Sequence, residues 1–215
     1  MTEKQEKRLL AERERLNAMK TFELEYASYG IVCGIDEAGR GPLAGPVVAA
    51  AVVLPLDHEF LYLNDSKKVT EKRRNVLFDE IREYASAFGI GMASPEEIDE
   101  INILQADYLA MKRALSQLSV RPDVLLNDAV IIPGVQGKQV SIIKGDAKSV
   151  SIAAASILAK VTRDRIMISY DELYPEYGFA RHKGYGTQFH QDAIREFGPC
   201  PIHRRSFLNH ILGQA

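Results

Sequence analysis

The segment Ile35-Asp36-Glu37-Ala38-Gly39-Arg40-Gly41-Pro42-Leu43-Ala44-Gly45-Pro46-Val47 drives two adjacent carboxylates into a glycine-rich turn between two apolar runs. The runs on either side, Ile31 to Glu37 and Val47 to Leu54, are rich in β-branched residues and read as strands joined by a Gly/Pro turn. Carboxylates at the end of a buried strand are costly unless a cation or a partner compensates. A hard metal ion is the obvious compensation. The glycines beside them leave backbone N–H groups open to another molecule. The combination suits a phosphate-bearing substrate.

The remaining elements follow from periodicity and caps. Residues 3 to 29 read as a helix with Leu9, Leu16, Met19, Phe22 and Tyr26 near helical spacing and Gly30 as its stop. Thr70 to Ala85 reads as a second helix, and Phe88 to Ala93 as a third strand that completes an antiparallel start. Ser94-Pro95-Glu96-Glu97 carries two helix-start signals, a capping box and proline at the first helical position. A short helix follows, and then Leu104, Tyr108, Met111, Leu115 and Leu118 form one apolar stripe to about Ser119. Val124 to Asn127 and Val140 to Lys144 read as two further strands, each leading to an aspartate, Asp128 and Asp146. Alanine-rich Ser149 to Tyr174 is a helix that can pack closely on a sheet. A loop from Tyr177 to Gly186 and short helices near Thr187 to Phe197 and Phe207 to Leu212 finish the chain. The partition is an N-terminal helical extension (1–30), a core (31–175) and a basic helical C-terminal region (176–215).

Composition removes several classes. Cys33 and Cys200 are the only cysteines, with no zinc-type Cys/His spacing, so a disulfide framework and a structural zinc are not expected. A reducing cytoplasm fits. The longest apolar run is far shorter than the ~20 residues a spanning helix needs, so no membrane span is expected. The net charge of −2 hides a gradient: from Tyr177 onward five Arg/Lys face two acids, a local +3. A basic flank beside a carboxylate cluster is what a metal-dependent enzyme on a polyanion needs.

Asp36, Glu37, Asp128 and Asp146 all lie at or past the ends of apolar runs. If they converge, an all-oxygen set favours Mg2+ or Mn2+ over zinc, and two such ions about 3.5–4 Å apart serve an in-line phosphoryl displacement. Successive side chains on a regular strand point to opposite faces. Asp36 and Glu37 therefore share an ion only if the strand ends or bulges there, which Gly39 allows. Taken singly, each aspartate is an ordinary turn residue or cap; their joint occurrence carries the functional reading.

Taken together, GIDEAGRGPLAGPV at 34–47, DSKK at 65–68, KGDAKSVSIAAASILAKVTRD at 144–164, HKGYGT at 182–187 and HRRSF at 203–207 resemble bacterial type 2 ribonuclease H, the ribonuclease HII family. The similarity extends from about Ile31 to Phe207. It implies an α/β ribonuclease H-like fold, a five-stranded mixed sheet flanked by helices with a helical C-terminal region. It implies an Asp-Glu-Asp-Asp site holding two divalent ions, which maps onto Asp36, Glu37, Asp128 and Asp146. An aspartate in the fourth place favours type 2 over type 3, while Asn127 before Asp128 departs from the aliphatic residue usual there.

The resemblance further implies cleavage of the RNA strand of RNA–DNA hybrids and nicking of duplex DNA on the 5′ side of an embedded ribonucleotide, leaving 3′-hydroxyl and 5′-phosphate ends. Ribonucleotide excision repair and RNA primer removal are the implied roles, with the enzyme a monomer. By the same resemblance Gly39, Arg40 and Gly41 read the 2′-hydroxyl and Tyr185 stacks on the following deoxyribose. Ser66, Lys67, Lys68, Lys183 and Arg204 belong to the substrate-binding surface, Lys67, Lys68 and Arg204 as phosphate contacts. Two alternatives stay open: a non-catalytic module that binds hybrids, and another phosphoryl-transfer enzyme on the same fold that does not sense the 2′-hydroxyl.

Overall fold

A computed structural model describes residues 2–213. Three strands, β1 (Val32–Ala38), β2 (Val47–Val53) and β3 (Ala87–Ala93), form an antiparallel meander, and β4 (Val124–Asp128) and β5 (Lys138–Ile142) continue the sheet parallel to β1. The order is β3-β2-β1-β4-β5. The expected α/β architecture with a five-stranded mixed sheet is therefore present.

Alternation along β2 assigns the two faces. Ala50 and Val52 join the core under α5 (Val150–Leu173), together with α3 (Glu71–Tyr84) and Leu16 and Met19 of α1 (Glu3–Met19). Ala49, Ala51 and Val53 point the other way, into the core under α4 (Pro95–Ser116). Small residues permit the close approach that fixes both layers. A Cβ on Gly34 would lie 2.2 Å from the Ser151 carbonyl carbon, and one on Gly91 2.2 Å from Ala110 O, so both helices rest on bare strand backbone.

Several boundaries differ from the sequence reading. The N-terminal helix is broken into α1, α2 (Thr21–Tyr26) and a 3-10 turn (Ala27–Tyr29). Glu23 of α2 is buried, and its Oε1 accepts from Ser149 Oγ at 2.5 Å and Ser151 N at 2.9 Å. A carboxylate thus sits on the α5 N-terminus, where the helix dipole favours it, and ties the extension to the core. The short helix and the apolar stripe after Ser94 are both present within α4, separated as expected by the non-helical Asn102 (φ 65°, ψ 165°), whose Oδ1 accepts from Leu104 N and Gln105 N and starts the second segment. β5 lies earlier than Val140–Lys144 because it is an edge strand with polar positions. Gln139 binds the Asn127 amide across the strand pair at 3.0 Å, so Asn127 is spent on the sheet edge.

The C-terminal helices α6 (Phe179–His182), α7 (Gln188–Phe197) and α8 (Asn209–Leu212) close an apolar cluster around Tyr177, Phe179 and Ile194 that takes in Met167 of α5 and Ala44 of the glycine loop. This lobe is thereby packed on the loop that follows β1.

Gly34→Ala tests the close β1–α5 approach. The added methyl meets helix backbone that has no free side chain to move, and overpacking of this kind costs about 1–3 kcal/mol. The melting temperature is expected to fall by several degrees, and an unchanged value would refute the close approach.

Candidate active site

β1 pairs with β4 only from Val32↔Val124 to Ile35↔Asn127, whereas its pairing with β2 runs on through Ala38↔Val48. Asp36, Glu37 and Asp128 follow the point where β1 and β4 stop pairing. The register through Asp36↔Ala50 and Glu37↔Ala49 is unbroken, so of the two expected arrangements, a strand end or a bulge, it is the end of strand pairing, on the β4 side, that is present. Asp36 points to the α5 face, beside Ser156, and Glu37 to the α4 face, beside Arg40 and Asp107. Asp128, at the end of β4, carries a charge close enough to raise both Asp36 and Glu37.

Asp146 is not at a strand end. It lies in a 3-10 turn (Gly145–Ala147) past β5. Lys144, with φ 57°, reverses the chain, and Gly145 N–H donates to Asp128 Oδ1 at 2.7 Å, which folds the turn back toward β4. Burial, then Asp65, then Asp128 raise the Asp146 carboxyl. Asp65, the first residue of DSKK, is thus a fifth acid at the site that the sequence reading did not single out.

The electrostatics are those of crowded anions. Burial first, then the charges of Glu37 and Asp128, push Asp36 well above the ordinary carboxyl range. Burial raises Glu37 too, against the opposing pull of Arg40 and Lys67. One Glu37 oxygen is buried with no hydrogen-bond partner. No three of the described His, Cys, Asp and Glu side chains are gathered into a ready-made ligand cage.

The glycine loop is held from behind by two buried guanidinium groups. Arg204 donates through Nε to Gly45 O at 2.9 Å, through Nη1 to Arg40 O at 2.9 Å and through Nη2 to Gly39 O at 2.5 Å. Arg163 of α5 donates to Pro46 O, Lys183 O and Ala44 O at 3.0, 2.9 and 3.0 Å. Burial lowers their pKa values to about 9 and about 10, so both stay charged near neutral pH. With the carbonyls turned onto cations, the N–H groups of Arg40 and Gly41 have no hydrogen-bond acceptor among the described residues. Gly39 is at φ 100°, and a Cβ there would lie 2.0 Å from Arg163 Nε, so only glycine fits.

Two expected substrate contacts are corrected by burial. The Arg204 side chain is 0% exposed and spent on three carbonyls, so it braces the turn and does not face a phosphate. Ser66 is also buried: it accepts from Ser156 Oγ at 2.9 Å, and the Ser156 hydroxyl lies beside Asp36 as well. Lys67 and Lys68 remain exposed, and Lys67 lies near enough to Glu37 and Asp146 to oppose the rise of both. The Lys183 ammonium donates to Ala180 O within its own loop. The half-exposed Tyr185 ring borders the turn, with Cε1 3.9 Å from the Cβ position of Gly41.

The Tyr185 backbone is set by histidines. His182 donates through Nε2 to Tyr177 O at 2.7 Å and accepts at Nδ1 from Gly184 N at 3.2 Å, which pins the loop. Behind it runs a relay of fixed tautomers. Cys200 N–H donates to His203 Nδ1 at 3.0 Å, His203 Nε2–H donates to His190 Nε2 at 3.0 Å, and His190 Nδ1–H donates to Tyr185 O at 2.9 Å. Each imidazole is both donor and acceptor, so both must be neutral. Burial holds the two at about 4.

Comparison with known proteins bears on this arrangement. A family model described as Ribonuclease HII matches residues 33–210. The chain is 59% identical over 204 residues to a Ribonuclease HII of Lachnoclostridium phytofermentans, covering 95% of this chain and 80% of that protein. It is 57% identical over 203 residues to a Ribonuclease HII of Clostridioides difficile, covering 94% and 80%. The structure is similar to the crystal structure of the ribonuclease H2 from Pyrococcus horikoshii OT3, with TM-score 0.70 and 28% identity over 85% of this chain and 97% of that one. The expected ribonuclease H-like fold is thus present.

The histidine relay sets a pH dependence. Between an ordinary value of 6.5 and about 4, the unfolded chain binds protons at His190 and His203 that the folded one refuses, so stability falls as pH drops through that window. Replacing both by Asn removes this component and leaves the carboxylates unchanged. The melting temperature lost between pH 7 and pH 5 is expected to be smaller in the double variant; equal losses would contradict the neutral relay.

Proposed function

Since the chain belongs to the ribonuclease HII family and is therefore a ribonuclease H endonuclease acting on nucleic acid, we propose that it cuts hybrids and nicks duplex DNA 5′ of single embedded ribonucleotides. The products carry 3′-hydroxyl and 5′-phosphate ends, and the roles are ribonucleotide excision and RNA primer removal. Asp36, Glu37, Asp128 and Asp146 hold two divalent cations, Mg2+ or Mn2+. Bound there, such a pair supplies the charge neutralisation and water activation of an in-line phosphoryl displacement. The donor set fits: it is all oxygen, it contains a buried Glu37 oxygen without a partner, and the charge of Asp128 raises both Asp36 and Asp146.

The observation that carries the sugar preference is the turn directly after Asp36-Glu37, whose carbonyls are bound by Arg163 and Arg204 and whose Arg40 and Gly41 N–H groups are open. A hydroxyl that distinguishes ribose from deoxyribose is read by close polar contacts, and bare backbone allows the closest. Tyr185 beside Gly41 stacks on the next sugar, while Lys67, Lys68 and Lys183 lie on phosphates without reading sequence. Arg204 and Ser66 take no direct part in this reading. The carboxylates, turn and tyrosine all come from one chain, so a monomer suffices. Both cysteines are free and buried, in keeping with a reducing cytoplasm. The three-part division places the catalytic machinery in 31–175, with 176–215 supplying Tyr185 and the brace.

Two variants test the reading on duplexes carrying one ribonucleotide, with an all-DNA duplex as control. Asp36→Asn keeps the fold and lowers cleavage by about 10³-fold, or ~4 kcal/mol of barrier; normal cleavage would remove Asp36 from the site. Tyr185→Ala leaves stability unchanged and erases selectivity for the RNA–DNA junction, and intact junction selectivity would refute the stacking role. An all-DNA duplex cut as readily as the ribonucleotide-bearing one would favour a nuclease blind to the 2′-hydroxyl.

A further inference from the structure

Asp107, on α4, is fully buried, and neither of its carboxylate oxygens has a hydrogen-bond partner among the described residues. Its neighbours on the helix are Ala106, Ala110 and Met111, all in the apolar core. An isolated carboxylate in such a place destabilises the fold. Among the described residues the one cation within ion-pair range of it is Arg40, whose Nε lies 3.6 Å from Asp107 Oδ2. The same guanidinium places Nη1 3.7 Å from Glu37 Oε1. Both separations exceed those of a hydrogen bond, so Arg40 is shared between two acids and closed on neither. Its backbone carbonyl, meanwhile, is fixed by Arg204.

The two acids differ in what else claims them. Glu37 faces the proposed cation site, whereas Asp107 has Arg40 and the Glu37 charge on one side and apolar side chains of α4 around it. Once Glu37 turns to cations its attraction for Arg40 is spent, and Asp107 is the anion left. A movement of less than about 1 Å then converts the 3.6 Å contact into a charge-assisted hydrogen bond of ordinary length. Because Arg40 is the central residue of the turn, that closure sets where its N–H groups point.

We propose that Asp107 is the positioning residue for the ribose-reading turn, taking over the Arg40 guanidinium when cations engage Glu37 and so coupling metal binding to recognition of the 2′-hydroxyl. The proposal rests on the function given above. It accounts for a carboxylate that stability alone does not require.

Asp107→Leu and Asp107→Asn test it, assayed at pH 8.5, above the value of about 8 to which burial and Glu37 push this carboxyl. Both variants are expected to melt at or above the wild-type temperature. On the single-ribonucleotide duplex, kcat falls about 10- to 100-fold for Leu and less for Asn, which keeps an acceptor, while KM changes less than about threefold. Arg40→Ala combined with Asp107→Leu is no worse than the more damaging single variant, because the two act as one unit. A readout independent of activity is the Arg40 Nε–H NMR signal, which shifts on adding Mg2+ to wild type and does not in Asp107→Leu. Wild-type kcat in Asp107→Leu, multiplicative losses in the double variant, or the same Mg2+-induced shift in both proteins would each overturn the proposal. If the wild type itself fails to cut the ribonucleotide duplex, the functional reading falls, and this proposal falls with it.

Discussion

Like charges held together by the sheet are the constraint on which the rest of the molecule depends. Where β1 and β4 part, Asp36, Glu37 and Asp128 are brought within electrostatic reach, and the 3-10 turn after β5 adds Asp146. The charge of Asp128 raises Asp36, Glu37 and Asp146, and Arg40 and Lys67 pull against the rise of Glu37. Such a centre lowers stability as pH rises through the shifted carboxyl range, because the folded state keeps protons that the unfolded chain would release. The fold tolerates it through well-packed layers beneath: alanine and glycine on the strands, with α4 and α5 lying against backbone.

Beside this anionic centre the chain places the opposite charge where solvent does not reach it. Arg163 and Arg204 are buried without a carboxylate partner among the described residues, and their N–H groups are spent on carbonyls of the glycine loop and of Lys183. Their charge is therefore delivered through the backbone. Carbonyl dipoles turn inward, and the open N–H groups outward, toward the place a sugar hydroxyl occupies in the functional reading. The C-terminal lobe is thus part of the site's architecture: Arg204 braces the turn, and the His203–His190 relay fixes the Tyr185 carbonyl on its flank.

What was legible in the sequence follows a physical line. The strands of the meander and the capping box at Ser94 were legible because apolar alternation and caps are local signals. β5 was misplaced because an edge strand carries polar residues such as Lys138 and Gln139 that break an apolar run. The four acids stood out by their motifs, but the way Asp146 reaches Asp128, through a left-handed Lys144, is a tertiary arrangement with no local mark. Arg163 and Asp107 were passed over since charged residues in helices are normally solvated. Arg204 drew notice for its charge and was read outward for the same reason; only the packed lobe shows that it faces inward.

The central claim, that the acids around Asp128 exist to hold cations, is tested most directly by anomalous diffraction from crystals soaked in Mn2+. The expected result is a pair of peaks about 3.5–4 Å apart, bound by Asp36, Glu37, Asp128 and Asp146, with the Arg40 side chain moved off Glu37. Peaks confined to other acidic residues, or Asp128 and Asp146 turned away from an ion at Asp36, would contradict it.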